Sequence, residues 1–165
     1  MGTKLYIDVM PLLELQKFME RQIPATVVKT VDEVLNEYAD KAVVEAKKEF
    51  GVYQGARPGQ DESFPAWDQL NPRTIAQKRV RTGQNTPLLD SGELQASVEK
   101  LSATEYVKMV GTYDPNGARA EYGTKNAPAR PWLRPVLFGL KAEFALELRR
   151  RLVAGIKAKL RTLRK

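Results

Sequence analysis

Residues 121–135, EYGTKNAPARPWLRP, constrain this chain more than any other stretch, because three of the fifteen are proline. Pro128, Pro131 and Pro135 each hold φ near one value and offer no backbone donor. Each also pushes the residue before it out of the helical region. The segment is therefore expected to be extended and stiff. From Val136 to Lys165 there is no further proline, and Leu, Ala, Lys and Arg dominate, all strong helix formers. Pro135 suits the first turn of that helix, where a missing N–H is no loss. The pattern predicts a rigid strap joining a body to a long terminal helix.

That helix carries the charge. Residues 141–165 hold nine basic side chains against two acidic ones, so the whole formal net charge of +7 lies there and residues 1–140 sum to zero. Its apolar residues Leu140, Phe144, Leu148, Leu152, Ile156 and Leu160 recur at every fourth position. Each such step overshoots a full turn by about 40°, so the stripe rotates by roughly 200° along the helix. One flat partner cannot hold such a stripe. Either the body wraps the helix, or its two halves meet different surfaces, the parent domain first and another subunit second. Arg149, Arg150, Arg151, Lys157, Lys159 and Arg161 are the candidate contacts to DNA or to an acidic protein partner. Lysine and arginine neutralise phosphate without reading sequence. The other reading is a solvated face whose charge aids solubility and suits the negative end of the helix dipole.

Upstream, Lys4–Met10 alternates polar and apolar residues, as a half-buried strand does, and Pro11 stops it. Residues 12–21 read as a short helix. From Pro24 to Phe50, Val28, Val31, Leu35, Tyr38, Ala42 and Ala46 step by three or four. That is the period of an amphipathic helix, here about 40 Å long. Residues 51–66 contain three glycines and two prolines without periodicity. Such a loop either orders on contact with neighbours or is plain surface, and residues 81–87 pose the same choice. Asn71 is a good N-cap with Pro72 at the first helical position. Leu88–Val98 reads as a turn followed by a short helix begun by Asp90 or Ser91. Residues 98–103 and 104–112 alternate as two strands of a hairpin, and Asp114-Pro115-Asn116-Gly117 is a turn signal. The fold class expected is α+β. A small antiparallel sheet of three to four strands is packed by a long N-terminal helix, with a long basic C-terminal helix beside it. The whole, residues 1–165, is one domain. It divides into a charge-neutral body at 1–120, the Pro-rich strap at 121–135 and the basic helix at 136–165.

The chain has no cysteine and no histidine. Disulfides, thiolate metal sites, the usual imidazole ligand and the usual general base are all closed to it. The carboxylate pairs Glu33/Glu37, Asp61/Glu62 and Glu143/Glu147 fall on faces read as exposed, and a solvated face explains all three. No enzyme activity, cofactor or metal is expected. No apolar run approaches the ~20 residues that span a bilayer. The N-terminus lacks the segments of a signal peptide, so the chain is expected to be made in a cytosol, away from any membrane.

Two motifs stand in order along the chain. The first is Trp67-x2-Leu70-x-Pro72-x-Thr74-x3-Lys78, followed by Pro87-Leu88-Leu89-x-Ser91-Gly92-x-Leu94-x2-Ser97. The second is Glu121-Tyr122-Gly123-Thr124, followed by Pro128-Ala129-Arg130-Pro131-Trp132-Leu133-Arg134-Pro135. Together they resemble the tail-completion, or virion-morphogenesis, proteins of tailed bacteriophages, both the Mu-like kind and the related minor neck and tail components of siphophages. Ser91 stands where those families have threonine, and Trp132 where they have phenylalanine. The resemblance covers most of residues 24–165. It implies a structural virion protein at the neck or head-proximal tail end. Such a protein works as a ring of six or twelve copies in tail completion and head–tail joining, beside connector or tail proteins, and has no active site.

Within the second motif, Arg130, Trp132, Leu133 and Arg134 are the candidate subunit-interface residues, since tryptophan and arginine are enriched at interface hot spots. The alternative is that Trp132 and Leu133 plug the body's own core while the arginines pair with Glu121 and other local acids. A different class of function, a non-specific DNA-binding protein using the basic helix, also fits the charge distribution.

Overall fold

The computed structural model describes residues 25–60, 63–82, 85–104 and 106–162. The strand expected at Lys4–Met10 and the helix expected at 12–21 lie outside them. Among the described residues the order is α1 (Ala25–Lys48), α2 (Pro72–Thr82), α3 (Glu93–Ala96), β1 (Glu99–Thr104), β2 (Val107–Gly111), α4 (Pro115–Tyr122) and α5 (Arg134–Thr162). The described residues are thus mixed helix and strand, with one long helix towards each end and a two-stranded antiparallel sheet.

The α1 helix follows its apolar period. Its first half buries Val27, Val31, Val34, Leu35 and Tyr38 against Leu148 of α5, with Phe144 and Leu152 beside them. Its second half presents Ala39, Ala42 and Ala46 to a second cluster that holds Phe50, Trp67, Val98, Val110, Trp132 and Leu133. Small residues there let the bulky indole and the sheet approach the helix closely. Tyr38 meets Phe144 edge-on at 5.4 Å. Lys41–Glu143 and Arg151–Glu37, at 2.7 and 2.6 Å, close the seam on the surface. The two long helices therefore run antiparallel, α5 returning along α1. Among the described residues of the α5 stripe burial is greatest at Leu148, while Ile156 is 39% exposed, as a rotating i+4 stripe demands.

The hairpin pairs Glu99 with Gly111 and Leu101 with Met109, and a register irregularity lies between Ser102 and Thr104. Two strands alone are marginal in water. Here the sheet packs on α1, and Lys108, almost fully buried, lies 2.6 Å from Asp32 of that helix.

Two sequence expectations change. Asp114–Gly117 starts a helix: Asp114 accepts the N–H of Asn116 with Pro115 in the first turn. Asp followed by Pro serves a helix start as well as a turn, and the residues after it continue the helix. The 51–66 segment is also less irregular than its composition suggests. Arg57 and Phe64 form an antiparallel bridge, Arg57 pairs with Glu49, and Trp67 is buried with its N–H on Gln54 O.

Candidate functional site

The two motifs meet at the start of α5. Helix α4 turns Gly117, Ala120 and Glu121 inward. Glu121 is 2% exposed. Its Oε2 accepts the backbone N–H groups of Trp132 and Leu133 at 2.8 and 2.9 Å. Its Oε1 accepts the N–H and the Nε–H of Arg134 at 3.1 and 2.9 Å. These backbone donors belong to the entry of α5, where no intrahelical partner exists. Glu121 is thus an N-terminal cap contributed by another helix, with its charge at the positive end of the α5 dipole. The Arg134 guanidinium also lies over the Tyr122 ring at 4.8 Å and the Phe64 ring at 5.6 Å, contacts that further restrict it.

Between these points the chain doubles back, which corrects the extended strap. Thr124 and Ala127 exchange backbone hydrogen bonds of 2.8 and 3.2 Å across Lys125 and Asn126, and Arg130 N–H donates to Ala120 O at 2.7 Å. Gly123 makes the entry at φ 74, and a Cβ there would lie 2.7 Å from the Ala129 nitrogen. The prolines stiffen the segment, but a positive-φ glycine and a paired turn reverse its direction.

The first motif grips the second. Trp67 Nε1 donates to Pro131 O at 3.2 Å, and Arg130 Nη2 donates to Asp68 O at 3.0 Å. Trp132 Nε1 reaches Gly117 O at 3.1 Å while its ring sits 5.3 Å from Phe50. Lys78 is buried, and its ammonium donates to Thr86 O and Leu89 O, each at 2.5 Å. Burial lowers its pKa. It ties α2 to the Pro87-Leu88-Leu89 turn, where Leu88 has φ 58. Ser97 Oγ and Thr112 Oγ1, 2.6 Å apart, join α3 to the end of the sheet.

Trp132 and Leu133, each 2% exposed, and Arg130, 9% exposed, fill this chain's own interior. They have next to no surface with which to touch a neighbour, so the core-plug alternative describes their placement. Arg134 keeps 40% of its side chain exposed but is engaged by Glu121. From sequence alone Trp67 and Lys78 have no role beyond membership of the first motif, and Glu121, in the second, has only the role of a local acid for the arginines. The signal that could have found its cap function was its place at the head of the motif that ends at the start of α5.

On the basic helix the candidates separate. Arg150 and Arg151 both pair with Glu147 at 2.6 Å, and Arg151 also reaches Glu37. The hydrogen bonds from Arg150 and then Arg151 pull the Glu147 pKa down to about 2. Arg149 and Lys157 are exposed, with no ion pair among the described residues. The side chains of Lys159 and Arg161 lie outside the described residues.

A crevice between Gly111, Thr112, Gly117, Glu121, Trp132 and Leu133 is water-sized, too small for an organic ligand. Among the described residues no group of three or more His, Cys, Asp or Glu side chains is placed to hold a metal ion, and no helix is long and apolar enough to cross a membrane. No protein-family model, curated protein or solved structure matches this chain.

Proposed function

We propose that this chain is a structural virion protein of a tailed bacteriophage. In this reading it works as a ring at the neck or head-proximal tail end, completing the tail and joining it to the head. The observation that supports it is the convergence of the two motifs that carry the resemblance. Residues some sixty positions apart, Trp67 and Pro131, are hydrogen-bonded in one junction, with Glu121 capping α5 beside them. Paired motifs that build one junction are what a shared fold would retain. The junction fixes the direction in which α5 leaves α4, which suits a part whose geometry must repeat around an axis. The three- to four-stranded form of the sheet expected from the sequence belongs to this reading. Particles made without the protein test the proposal: heads and tails should accumulate unjoined, and normal joining would refute it.

A second reading, non-specific DNA contact through α5, draws on Arg149 and Lys157, which are exposed and have no ion pair among the described residues. Titration with duplex DNA at two salt concentrations tests it. Contact with phosphates gives a steep fall in affinity with salt, about 0.9 log per log for each phosphate neutralised. No salt dependence would exclude it.

A further inference from the structure

Helix α5 is apolar on two sides. Leu140, Phe144, Leu148 and Leu152 face α1. A second stripe, Ala142, Leu146, Val153 and Ile156, lies roughly 80–160° around the helix from Leu148 at 100° per residue. Leu146, Val153 and Ile156 are 69, 43 and 39% exposed. A surface helix of a monomer carries a single apolar stripe, so the second calls for a second cover. Arg149 sits between Leu146 and Val153, where its aliphatic stem extends the apolar strip and its head gives it a cationic edge.

That face cannot pack on its own copy by two-fold symmetry, because Arg149, Arg150 and Lys157 would meet their own kind in a desolvated contact. The complementary surface is on the outer face of α1. Glu33, Asp40 and Val44 lie there seven and four residues apart, all exposed, beside Glu37, which pairs with Arg151 of α5 in the same chain. Val44 is 52% exposed. Glu33 and Asp40 keep 54 and 63% of their side chains open although Lys29 and Lys100 pair with them.

We propose that the outer stripe of α5 docks on the outer face of α1 in a second copy of this chain. Leu146 and Val153 would pack near Val44, with Arg149 and Lys157 against Glu33 and Asp40. The two faces differ, so the contact is head-to-tail. Each copy keeps a free face for the next, and closure gives a ring. The inference rests on the ring reading for closure alone; the surface follows from the two-sided helix.

The full chain is sedimented over a concentration series at low and moderate salt, beside three double variants. The wild-type chain should associate, more strongly at low salt. L146D/V153D should sediment as a monomer with an unchanged circular-dichroism melt, because both residues are exposed. R149E/K157E and E33K/D40K should each associate at least tenfold more weakly alone, and regain association when mixed. Wild-type association that survives in L146D/V153D, or a mixture that stays dissociated, overturns the surface and leaves the ring reading standing. A wild-type chain that is monomeric throughout overturns both. A monomeric L146D/V153D variant whose melt falls would mean that the stripe is covered within its own chain, which overturns the surface.

Discussion

Replacing Glu121 by glutamine isolates what its carboxylate does at the entry of α5. The side chain is 2% exposed, and its oxygens take four donors: Trp132 N, Leu133 N, Arg134 N and Arg134 Nε. The amide keeps one oxygen, so in either orientation two of the four donors face an NH2 group. Two donors left without an acceptor cost roughly 1–3 kcal/mol each, towards the lower end where one of them is Nε of the half-exposed Arg134. Loss of the charge from the positive end of a helix dipole adds about 0.5–1 kcal/mol. The total, about 2.5–7 kcal/mol, brackets the roughly 3–5 kcal/mol usual for removing one member of a buried ion pair. For a domain of this length that corresponds to a fall in melting temperature of roughly 10 °C. A comparison variant apportions the effect. Arg134→Ala removes the partly exposed guanidinium but leaves the three backbone donors on Glu121, and should cost only about 1 kcal/mol. Thermal and urea melts of both variants provide the measurement. If Glu121→Gln stays within 0.5 kcal/mol of wild type, on the order of mutational scatter, Glu121 is not the cap. If Arg134→Ala costs as much, the salt bridge and not the backbone capping holds the junction.

Trp67→Phe keeps an aromatic ring but drops the bond to Pro131 O and part of the buried indole volume, so it should cost about 1–2 kcal/mol. Trp132→Ala empties the core beside Phe50 and should cost about 3–5 kcal/mol; urea melts that rank the two equally would refute this assignment. Gly123→Ala meets both a positive φ and the Ala129 backbone at 2.7 Å. It should lose more than 1 kcal/mol, whereas Gly139→Ala, in open space on α5, should gain a few tenths to about 1 kcal/mol by helix propensity. Glu147 has a folded-state pKa pulled from 4.5 to about 2. Between those values the unfolded chain binds the proton more tightly, so stability falls as pH drops. Melting temperature against pH should decline below about pH 4.5, with a shallower slope in Glu147→Gln.

Much of this architecture was legible because it depends on local chemistry. The α1 period, the Asn71-Pro72 start of α2, the alternation of the hairpin and the proline-free run of α5 each act within a few residues. The Asp114–Gly117 misreading shows the limit of that rule, since the same four residues begin a turn or a helix depending on what the next turn of chain can bury. Ala120 and Glu121 face inward on α4, and that burial decided the matter. The strap shows it again: its prolines announced stiffness, but its reversal depends on Gly123 and on a hydrogen bond from Arg130 to Ala120.

The sequence alone determined where the charge lies, which helices are long, and that the apolar stripe of α5 must rotate. Those properties follow from residue type and a fixed helical pitch. Only the tertiary structure decided that Glu121 is a cap and not a surface acid, that Trp132 and Leu133 are core, and that Arg150 and Arg151 share Glu147 while Arg149 has no ion pair among the described residues. Each depends on bringing together groups from separate elements in three dimensions, and no local pattern records which distant donor a buried carboxylate will find.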